Sequence, residues 1–251
     1  AAAVVGSVLG VGYFIGSVDF GGGGLVGGGA REGFLAKYNS AGVHQWSYRY
    51  GSTLSDTGTA VAVDGNGNPV LAGYFGATVD FGGGGLISAG SNDIFLAKYS
   101  PVGVHQWSAR CGGIGADLAN AVALDETGNV FFAGSFAATA DFGGVNLVAA
   151  GSTDLFLAKY TPAGAHEWSG GYGSTSPDNG FGVAVDPHGS VLMVGRFQGT
   201  VGFGGDDLVN AGFEDMVVAK YGNIAGEPLI TSIADVANDQ GRQVRIEFLR
   251  N

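Results

Sequence analysis

Three aspartates with a common spacing are the residues of this sequence best suited to bind a ligand. Asp56, Asp117 and Asp178 lie 61 residues apart, and each precedes a short apolar run. If the segments around them surround a common axis, their carboxylates form a ring at one end of it. Such a ring would hold a cation or the cationic part of a ligand. An aspartate before a strand can also cap its turn by accepting backbone hydrogen bonds, and this simpler interpretation stands beside the first.

A second candidate site is a loop in which oxygen-bearing side chains alternate with glycine. Asp64, Asn66 and Asn68 are separated by single glycines, the alternation of oxygen ligands found in calcium loops. The corresponding loops at 125–129 and 186–190 lack this alternation. A turn in which glycine adopts a positive φ and aspartate accepts backbone hydrogen bonds explains all three loops. Calcium bound by Asp64, Asn66 and Asn68 is therefore the narrower hypothesis, and no other cofactor is indicated.

Three of the four histidines also recur at this spacing. His44, His105 and His166 each stand two residues before a tryptophan, so each pair shares one face of a strand. Histidines at equivalent points of a repeat could build metal sites, but such points on outer strands lie far apart. We expect a surface ladder of histidine and tryptophan. The sequence contains no G-x-S-x-G, H-E-x-x-H or Walker motif, which removes the commonest hydrolase signatures.

The composition favours strands over helices. Glycine accounts for 49 of the 251 residues, and each interior glycine costs a helix roughly 1 kcal/mol relative to alanine. Hydrophobic residues make up 45% of the chain and charged residues only 13%, which excludes a disordered chain. We therefore expect a compact all-β protein.

The distribution of charge excludes two classes of partner. The net charge is −11, and lysine and arginine form no cluster along the chain. Nucleic acid and anionic membranes bind clustered basic side chains, so neither is expected as a partner. Residues 1–18 carry no charge, but four glycines and the lack of a basic flank argue against a membrane span. The single cysteine, Cys111, allows no intrachain disulfide and is expected to be a small buried hydrophobic residue.

An internal repeat of 61 residues organises the chain as far as about residue 222. The motif Phe-Leu-Ala-Lys-Tyr begins at Phe34, Phe95 and Phe156, and Val217 begins a related fourth copy. Asp-Phe-Gly and tryptophan recur in the same register, each three times. The chain contains about 3.6 such units without insertion or deletion. A period of this length indicates a repeat architecture.

Each unit contains four predicted strands. In the unit at 56–110, two strands meet at the turn 64–68 and two more at the turn 101–103, with a glycine-rich connection at 77–93 between the hairpins. Four strands per unit is the content of one β-propeller blade. Eleven of the 16 phenylalanines fall on three registers of the repeat, which predicts packing between blades. A parallel β-helix is the alternative architecture, but its coils are usually much shorter.

These motifs resemble a bacterial family, the seven-bladed β-propeller repeat known as SBBP. The resemblance lies in Asp56–Phe75, Thr78–Gly83, Asp93–Tyr99 and Gly103–Trp107, and it extends over residues 1–222. It implies blades of four antiparallel strands, with the first strand innermost and the tryptophan-bearing strand outermost. It also implies a large secreted or surface-attached bacterial protein whose repeats usually carry no assigned catalytic residues.

On this pattern the chain divides into a β-propeller region at 1–222 and a tail at 223–251. The propeller region comprises a partial blade at 1–50, blades at 51–111 and 112–172, and a partial blade at 173–222. We expect the repeats to begin at a second strand and end at a third, which leaves open blade edges that can add strands. The tail is predicted to hold one or two strands, and it resembles the start of a fibronectin-type β-sandwich.

Two functions from different classes fit the sequence. The first is a non-catalytic structural or binding module, a rigid interaction scaffold of a secreted or cell-surface bacterial protein. Its partner would be a protein or saccharide at the cell surface, or further copies of the chain joined through open blade edges. The second is an enzyme or metal-binding propeller with a ligand site at the central axis. Symmetry separates them, because a catalytic site needs residues that break the repeat, and few do. We therefore expect no enzymatic activity.

Overall fold

A computed structural model describes residues 2–4, 6–205, 207–222, 233–235 and 244–246 of the chain. This part contains 25 β-strands and no helix, in agreement with the all-β prediction. The strands pair antiparallel throughout. No helix able to cross a membrane occurs within these ranges.

Four sheets succeed one another along the chain, and we name them sheets I to IV. In spatial order, sheet I consists of β1 (Ala2–Val4), β2 (Ser7–Phe14), β5 (Glu32–Asn39) and β6 (His44–Tyr50). Sheet II consists of β7 (Thr57–Val63), β8 (Pro69–Phe75), β11 (Asp93–Tyr99) and β12 (His105–Gly113). Sheet III consists of β13 (Leu118–Leu124), β14 (Val130–Phe136), β17 (Asp154–Tyr160) and β18 (His166–Tyr172). Sheet IV consists of β19 (Asn179–Val185), β20 (Val191–Phe197) and β23 (Asp215–Tyr221).

A small two-stranded ribbon lies between the second and third strands of every sheet, where the sequence predicts only a glycine-rich connection. The ribbons are β3 (Ser17–Asp19) with β4 (Gly24–Val26), β9 (Thr78–Asp80) with β10 (Gly85–Ile87), β15 (Thr139–Asp141) with β16 (Leu147–Val148), and β21 (Thr200–Val201) with β22 (Leu208–Val209). Asp80 closes the second ribbon, because its Oδ1 accepts hydrogen bonds from the amides of Gly82 and Gly84 at 2.7 and 3.0 Å. Strand β15 also pairs with β12, so the ribbon of sheet III extends sheet II.

The hydrophobic core is divided into three clusters, one between each two consecutive sheets. Strand β11 shows the alternation that makes this possible. Phe95 and Ala97 face sheet I, whereas Ile94 and Leu96 face sheet III. Both faces of a middle sheet are therefore covered by its neighbours, and each sheet depends on the next for its core.

Phenylalanines at the three recurring registers form the centres of these clusters. Between sheets I and II, the ring centroids of Phe81 and Phe95 lie 4.4 Å apart, and Phe75 packs edge-on against both. Phe142 and Phe156 make the equivalent contact between sheets II and III at 4.7 Å. The predicted role of these rings in packing one sheet against the next is confirmed.

Tryptophan side chains connect sheet I to sheet II and sheet II to sheet III at the outer strands. The indole Nε1 of Trp46 and the Nζ of Lys37 both donate to the carbonyl of Pro101, at 3.2 and 2.7 Å. Trp107 and Lys98 make the same pair of bonds to Pro162 in sheet III. A turn of one sheet is thus held by the outer strands of the sheet before it.

The first sheet of the repeat region differs from the sequence-based expectation. The three-residue strand β1 pairs with β2 and supplies a first strand to sheet I, which was expected to lack one. It is too short to show any alternation in sequence. In the tail, β24 (Ile233–Asp235) pairs with β25 (Val244–Ile246), and β24 contacts β23. The other residues on which the fibronectin-type resemblance rests lie outside the described residues.

Candidate functional site

The three aspartates predicted to line the axis are buried where consecutive sheets meet. Asp56, Asp117 and Asp178 precede the first strands of sheets II, III and IV, and none is exposed to solvent. The backbone amide of each donates to a carbonyl just before the third strand of the preceding sheet, which for Asp117 is the carbonyl of Asn92 at 2.8 Å. Each aspartate is therefore part of the junction between two sheets.

Both oxygens of each of these carboxylates accept backbone hydrogen bonds. In Asp117, Oδ2 accepts from the amide of Gly113 at 2.8 Å and Oδ1 from that of Ala137 at 3.0 Å. Equivalent amides are those of Ser52 and Gly76 at Asp56, and those of Ser174 and Gln198 at Asp178. The aspartate thus joins the end of one sheet to the second strand of the next. This is the capping geometry, and ligand binding at these residues stays a prediction.

A second register of buried carboxylates lies beside the first, and it is not among the candidate residues predicted from the sequence. Glu32, Asp93 and Asp154 begin the third strands of sheets I, II and III, and at most 3% of each is exposed. Each accepts amide hydrogen bonds from the loop before it, as the amide of Ala150 shows with Asp154 Oδ2 at 2.8 Å. The 61-residue spacing of these carboxylates is the signal that the sequence offers. Each stands just before the Phe-Leu-Ala-Lys-Tyr motif, so its recurrence is hard to separate from that of the motif.

At the junction between sheets I and II, Glu32 lies near Asp56, and at the next junction Asp93 lies near Asp117. An arginine lies beside each of these two carboxylate pairs. Arg49 Nη1 lies 2.6 Å from Glu32 Oε2, and Arg110 Nη1 lies 2.5 Å from Asp93 Oδ2. A guanidinium beside two buried carboxylates offsets part of the cost of removing their charge from water.

The third carboxylate pair, Asp154 and Asp178, lies at the junction between sheets III and IV. No arginine of the described residues forms an ion pair with it. The register that holds Arg49 and Arg110 reaches Gly171 in sheet III. Oδ1 of Asp154 is buried there and has no hydrogen-bond partner. This interface thus has the two carboxylates of the other interfaces and Gly171 in place of their arginine.

Burial controls the ionisation of these carboxyl groups. It raises the pKa of Asp117 to about 6, although hydrogen bonds from the amides of Gly113 and Ala137 act in the opposite direction. Burial also raises the pKa of Asp56 and of Asp154, and the neighbouring Asp178 adds to the effect at Asp154. A raised carboxyl pKa is common at functional sites, but buried structural pairs produce it as well.

The structure does not gather the predicted ligand residues into one cluster. Within the described ranges, no three histidine, cysteine, aspartate or glutamate side chains lie close enough to hold a metal ion. The carboxylate that perturbs Asp56 is Glu32, and the one that perturbs Asp117 is Asp93. Asp56 and Asp117 thus each lie near a carboxylate of the preceding sheet and not near each other.

The predicted calcium loop surrounds its carboxylate with hydrogen-bond donors. Asp64 Oδ1 accepts from the amides of Asn66 and Asn68, both at 2.9 Å, and the Asn68 side-chain amide donates to both carboxylate oxygens. Lys98 Nζ lies 3.0 Å from Asp64 Oδ2, and both side chains are only 6% exposed. These hydrogen bonds, with that of Lys98, lower the pKa of Asp64 against the effect of burial. Calcium would have to displace this ammonium group, and its binding stays a prediction.

The histidines lie beneath the ribbons and not in the surface ladder that we expected. The rings of His44, His105 and His166 pack edge-on against a tyrosine of the third strand, with centroids 5.6 to 5.8 Å apart. They also fill the space beside the ribbon glycines, where a Cβ on Gly83 would come within 2.4 Å of the His105 ring. The absence of a side chain in the ribbon turn is what admits the imidazole.

Comparison with known proteins supports a repeat architecture. No family model matches the chain. An uncharacterized WD repeat-containing protein of Acanthamoeba polyphaga mimivirus is 24% identical over 240 residues, which cover 79% of this chain and 17% of that protein. The chain thus spans a small part of this relative's length. A solved structure of a protein of unknown function from Bacteroides caccae covers 84% of this chain and 64% of its own, at 11% identity and a TM-score of 0.37.

These observations agree on the general form of the molecule. Sheets I to IV are antiparallel, follow one another along the chain and bury a core between each two neighbours. The relative is named for WD repeats, which form the blades of propellers. The chain therefore has a propeller-like, repeat-based all-β fold.

Proposed function

We propose that this chain is a non-catalytic binding module, a rigid β-propeller scaffold of the SBBP type within a secreted or cell-surface bacterial protein. In this proposal sheets I to IV are consecutive blades, and a closed ring contains further blades. The observation that carries it is the repetition of one inter-sheet junction. An equivalent capping aspartate recurs at three interfaces. The hydrogen bond from a tryptophan to a proline carbonyl of the next sheet recurs at two. Repetition of this kind produces a shape, and it leaves few positions for a catalytic constellation.

The proposed partner is a protein or a saccharide at the cell surface. The acidic surface and the lack of a basic cluster argue against nucleic acid. A further partner is another copy of the chain, which would add strands or sheets at open blade edges. The name of the WD repeat relative supports a repeat scaffold of this general kind and mentions no ligand.

The experiment for this proposal presents the immobilised chain with bacterial surface polysaccharides and with purified extracellular proteins of the source organism. We expect saturable binding of at least one of these, with the ligand recovered chemically unchanged. Native mass measurement in parallel reports self-association. Turnover of a bound ligand, or failure of every candidate to bind, would overturn the proposal.

The second proposal is a metal or ligand site on the axis, and the 61-residue spacing of the buried carboxylates Asp56, Asp117 and Asp178 is the observation that favours it. Calcium is the cation proposed, either there or in the loop of Asp64, Asn66 and Asn68. The test is the melting temperature with and without calcium. A calcium-dependent rise that Asp117→Asn lowers would support a site at the ring, and the same loss with Asp64→Asn would place it in the loop. A melting temperature independent of calcium would reject both.

A further inference from the structure

We propose that a pocket between sheets I and II binds a neutral pyranose sugar. This inference rests on the proposed function as a binding module and identifies the class of ligand. The pocket has a volume of about 420 Å³, which lies within the range of about 300 to 1,000 Å³ found for small-molecule sites. Residues of β6, of the second ribbon, of β11 and of the following turn line it.

An aromatic surface forms one wall of this pocket. Tyr48 stacks on Tyr99 with ring centroids 5.9 Å apart and planes within 18°, and it also contacts Trp46 at 5.5 Å. The Tyr48 side chain remains 40% exposed. A flat, half-exposed aromatic ring held by two others is pre-ordered to pack against the apolar face of a sugar ring, and little conformational entropy is lost on binding.

The polar groups of the pocket include both signs of charge. Asp80 is exposed, and hydrogen bonds from the amides of Gly82 and Gly84 lower its pKa, so it is an anion at neutral pH. Arg49 supplies a guanidinium that is about one-third exposed beyond its contact with Glu32. An anionic ligand would meet the carboxylate and a cationic one the guanidinium. A neutral polyhydroxyl compound can donate to Asp80 and accept from Arg49, so it satisfies both.

An imidazole without a partner marks the same pocket. In sheets I and III, the Nε2 atoms of His44 and His166 lie 3.0 and 3.1 Å from serine hydroxyls. Nε2 of His105 is shielded from solvent and has no hydrogen-bond partner, although the chain has Ser108 at the matching position. His105 lines the pocket, and a turn of its ring toward a bound sugar would let a sugar hydroxyl give this shielded nitrogen the bond that it lacks.

The pocket is also where the repeat is broken. The residues at the register of Tyr48 are Ala109 in sheet II and Gly170 in sheet III, so no other described interface has this aromatic wall. Opposite Tyr48, Gly103 adopts a φ of 88°, and a Cβ there would lie 2.8 Å from the tyrosine hydroxyl. Gly103 recurs as Gly42 and Gly164, so Tyr48 is the residue that makes this interface different from the others.

The test titrates the full chain with glucose, galactose, mannose and N-acetylglucosamine, and detects binding by saturation transfer from protein aromatic protons to the sugar. At least one should bind saturably, and Tyr48→Ala should weaken it at least about tenfold, the loss of roughly 1.4 kcal/mol of stacking. Tyr48→Phe should retain binding. The fold already accepts alanine at this register in Ala109, so Tyr48→Ala should fold normally.

Two matched variants control for general effects of the substitutions. Tyr13 is 44% exposed and carries Arg31 over its ring at 4.5 Å, so Tyr13→Ala removes a similar tyrosine elsewhere and should leave binding unchanged. Asp80→Asn should weaken binding, whereas Asp19→Asn, in the equivalent turn of sheet I, should not. Equal effects of Tyr48→Ala and Tyr13→Ala, or no saturable binding by any of the sugars, would overturn the inference. If the sugars fail while a surface protein or polysaccharide still binds, the module proposal survives and only this site is rejected.

Discussion

Two junctions bury carboxylates at equivalent positions of the repeat, one between sheets II and III and the other between sheets III and IV. Only the first of these junctions places an arginine beside its two carboxylates. At the first, Arg110 contacts Asp93 beside the capping Asp117. At the second, Asp154 and Asp178 face each other without a guanidinium, and one oxygen of Asp154 is unpaired. The backbone hydrogen bonds of the two capping aspartates are equivalent.

The difference lies at one residue, Gly171, which stands at the register of Arg110. A Cβ on Gly171 would lie 2.9 Å from the ring of Phe136, so a side chain there requires this phenylalanine to move. The comparison shows which parts of the junction are essential to the architecture. Amide bonds to the aspartates are retained at every interface, whereas the cation is an addition that individual interfaces can lack. We therefore expect the two junctions to differ in stability and in their response to pH.

The largest effect is expected from removal of the arginine at the first junction. Arg110→Ala leaves Asp93 and Asp117 buried without a cation, and it should lower the free energy of unfolding by about 3 kcal/mol at pH 7. The cost is at the lower end for buried pairs because 29% of the Arg110 side chain is exposed. Denaturant unfolding measures the change. Lys159→Ala breaks the more exposed pair with Glu167 and should cost at most about 1 kcal/mol. Equal costs of the two variants would contradict the assigned role of Arg110.

The next effect is a pH dependence that arises from Asp117. Its pKa in the folded protein, about 6, exceeds its ordinary value of 3.8, so the folded state holds this proton more tightly than the unfolded chain. The resulting stabilisation is complete below about pH 4 and is lost as the pH rises through 6, a change of about 2 to 3 kcal/mol. The stability of the wild-type protein minus that of Asp117→Asn should therefore fall between pH 4 and pH 7.

Asp125 provides the control of opposite sign for this measurement. Hydrogen bonds from Thr127 and Asn129 lower its pKa, against the effect of burial. The stabilisation that it contributes is present above its ordinary pKa and is lost as the pH falls through the lowered value. The difference between wild type and Asp125→Asn should thus rise with pH. A wild-type minus Asp117→Asn difference that stays flat would contradict the pH dependence assigned to Asp117.

The sequence predicts the parts of this structure that depend on the 61-residue spacing and on the size of the recurring side chains. Phe81, Phe95 and their equivalents recur at fixed spacing, and a large apolar side chain that alternates along a strand has to pack against a neighbouring sheet. The ribbons were missed because glycine weakens strand propensity, whereas the turn amides held by Asp80 determine the fold there.

The candidate site was less predictable, because it depends on which side chains meet across an interface. Asp56 and Glu32 lie 24 residues apart, and neither spacing nor residue type indicates that they approach each other. Arg49 and Arg110 share a register, but only the structure shows that their guanidinium groups reach the carboxylates. The Oδ1 of Asp93 accepts from the Ser88 hydroxyl at 3.3 Å, whereas Ala149 stands at that register beside Asp154, and the unpaired Oδ1 that results is visible only in three dimensions.

A smaller and opposite effect is expected at the second junction. Asp154→Asn removes a buried charge that has no cation and keeps an oxygen to accept from the amide of Ala150. It should raise the free energy of unfolding by about 1 kcal/mol at pH 8. Asp93→Asn is the matched variant and should lower this free energy, because it takes a charged partner from Arg110. If both substitutions shift stability in the same direction, the arginine does not distinguish the two junctions.

Labelling of Cys111 reports opening of the junction between sheets II and III, and its smallest expected change is the response to Asp154→Asn. The Sγ of Cys111 is fully buried, 3.0 Å from the Tyr160 hydroxyl of sheet III, and burial raises its pKa to about 12. Iodoacetamide should therefore react with this thiol only when sheets II and III separate. Arg110→Ala should accelerate labelling by the factor that its loss of stability implies, about a hundredfold for 3 kcal/mol.

Asp154→Asn tests whether that opening is local. In repeat folds each unit contacts only its neighbours, so a junction can open while the next stays closed. If sheets II and III separate in this way, Asp154→Asn acts beside Asp178 of sheet IV and should leave the labelling rate within about twofold of wild type. If Cys111 is exposed only by unfolding of all four sheets, the rate should fall about fivefold, in proportion to the gain of 1 kcal/mol. The labelling rate thus decides whether the arginine stabilises one junction or the whole stack.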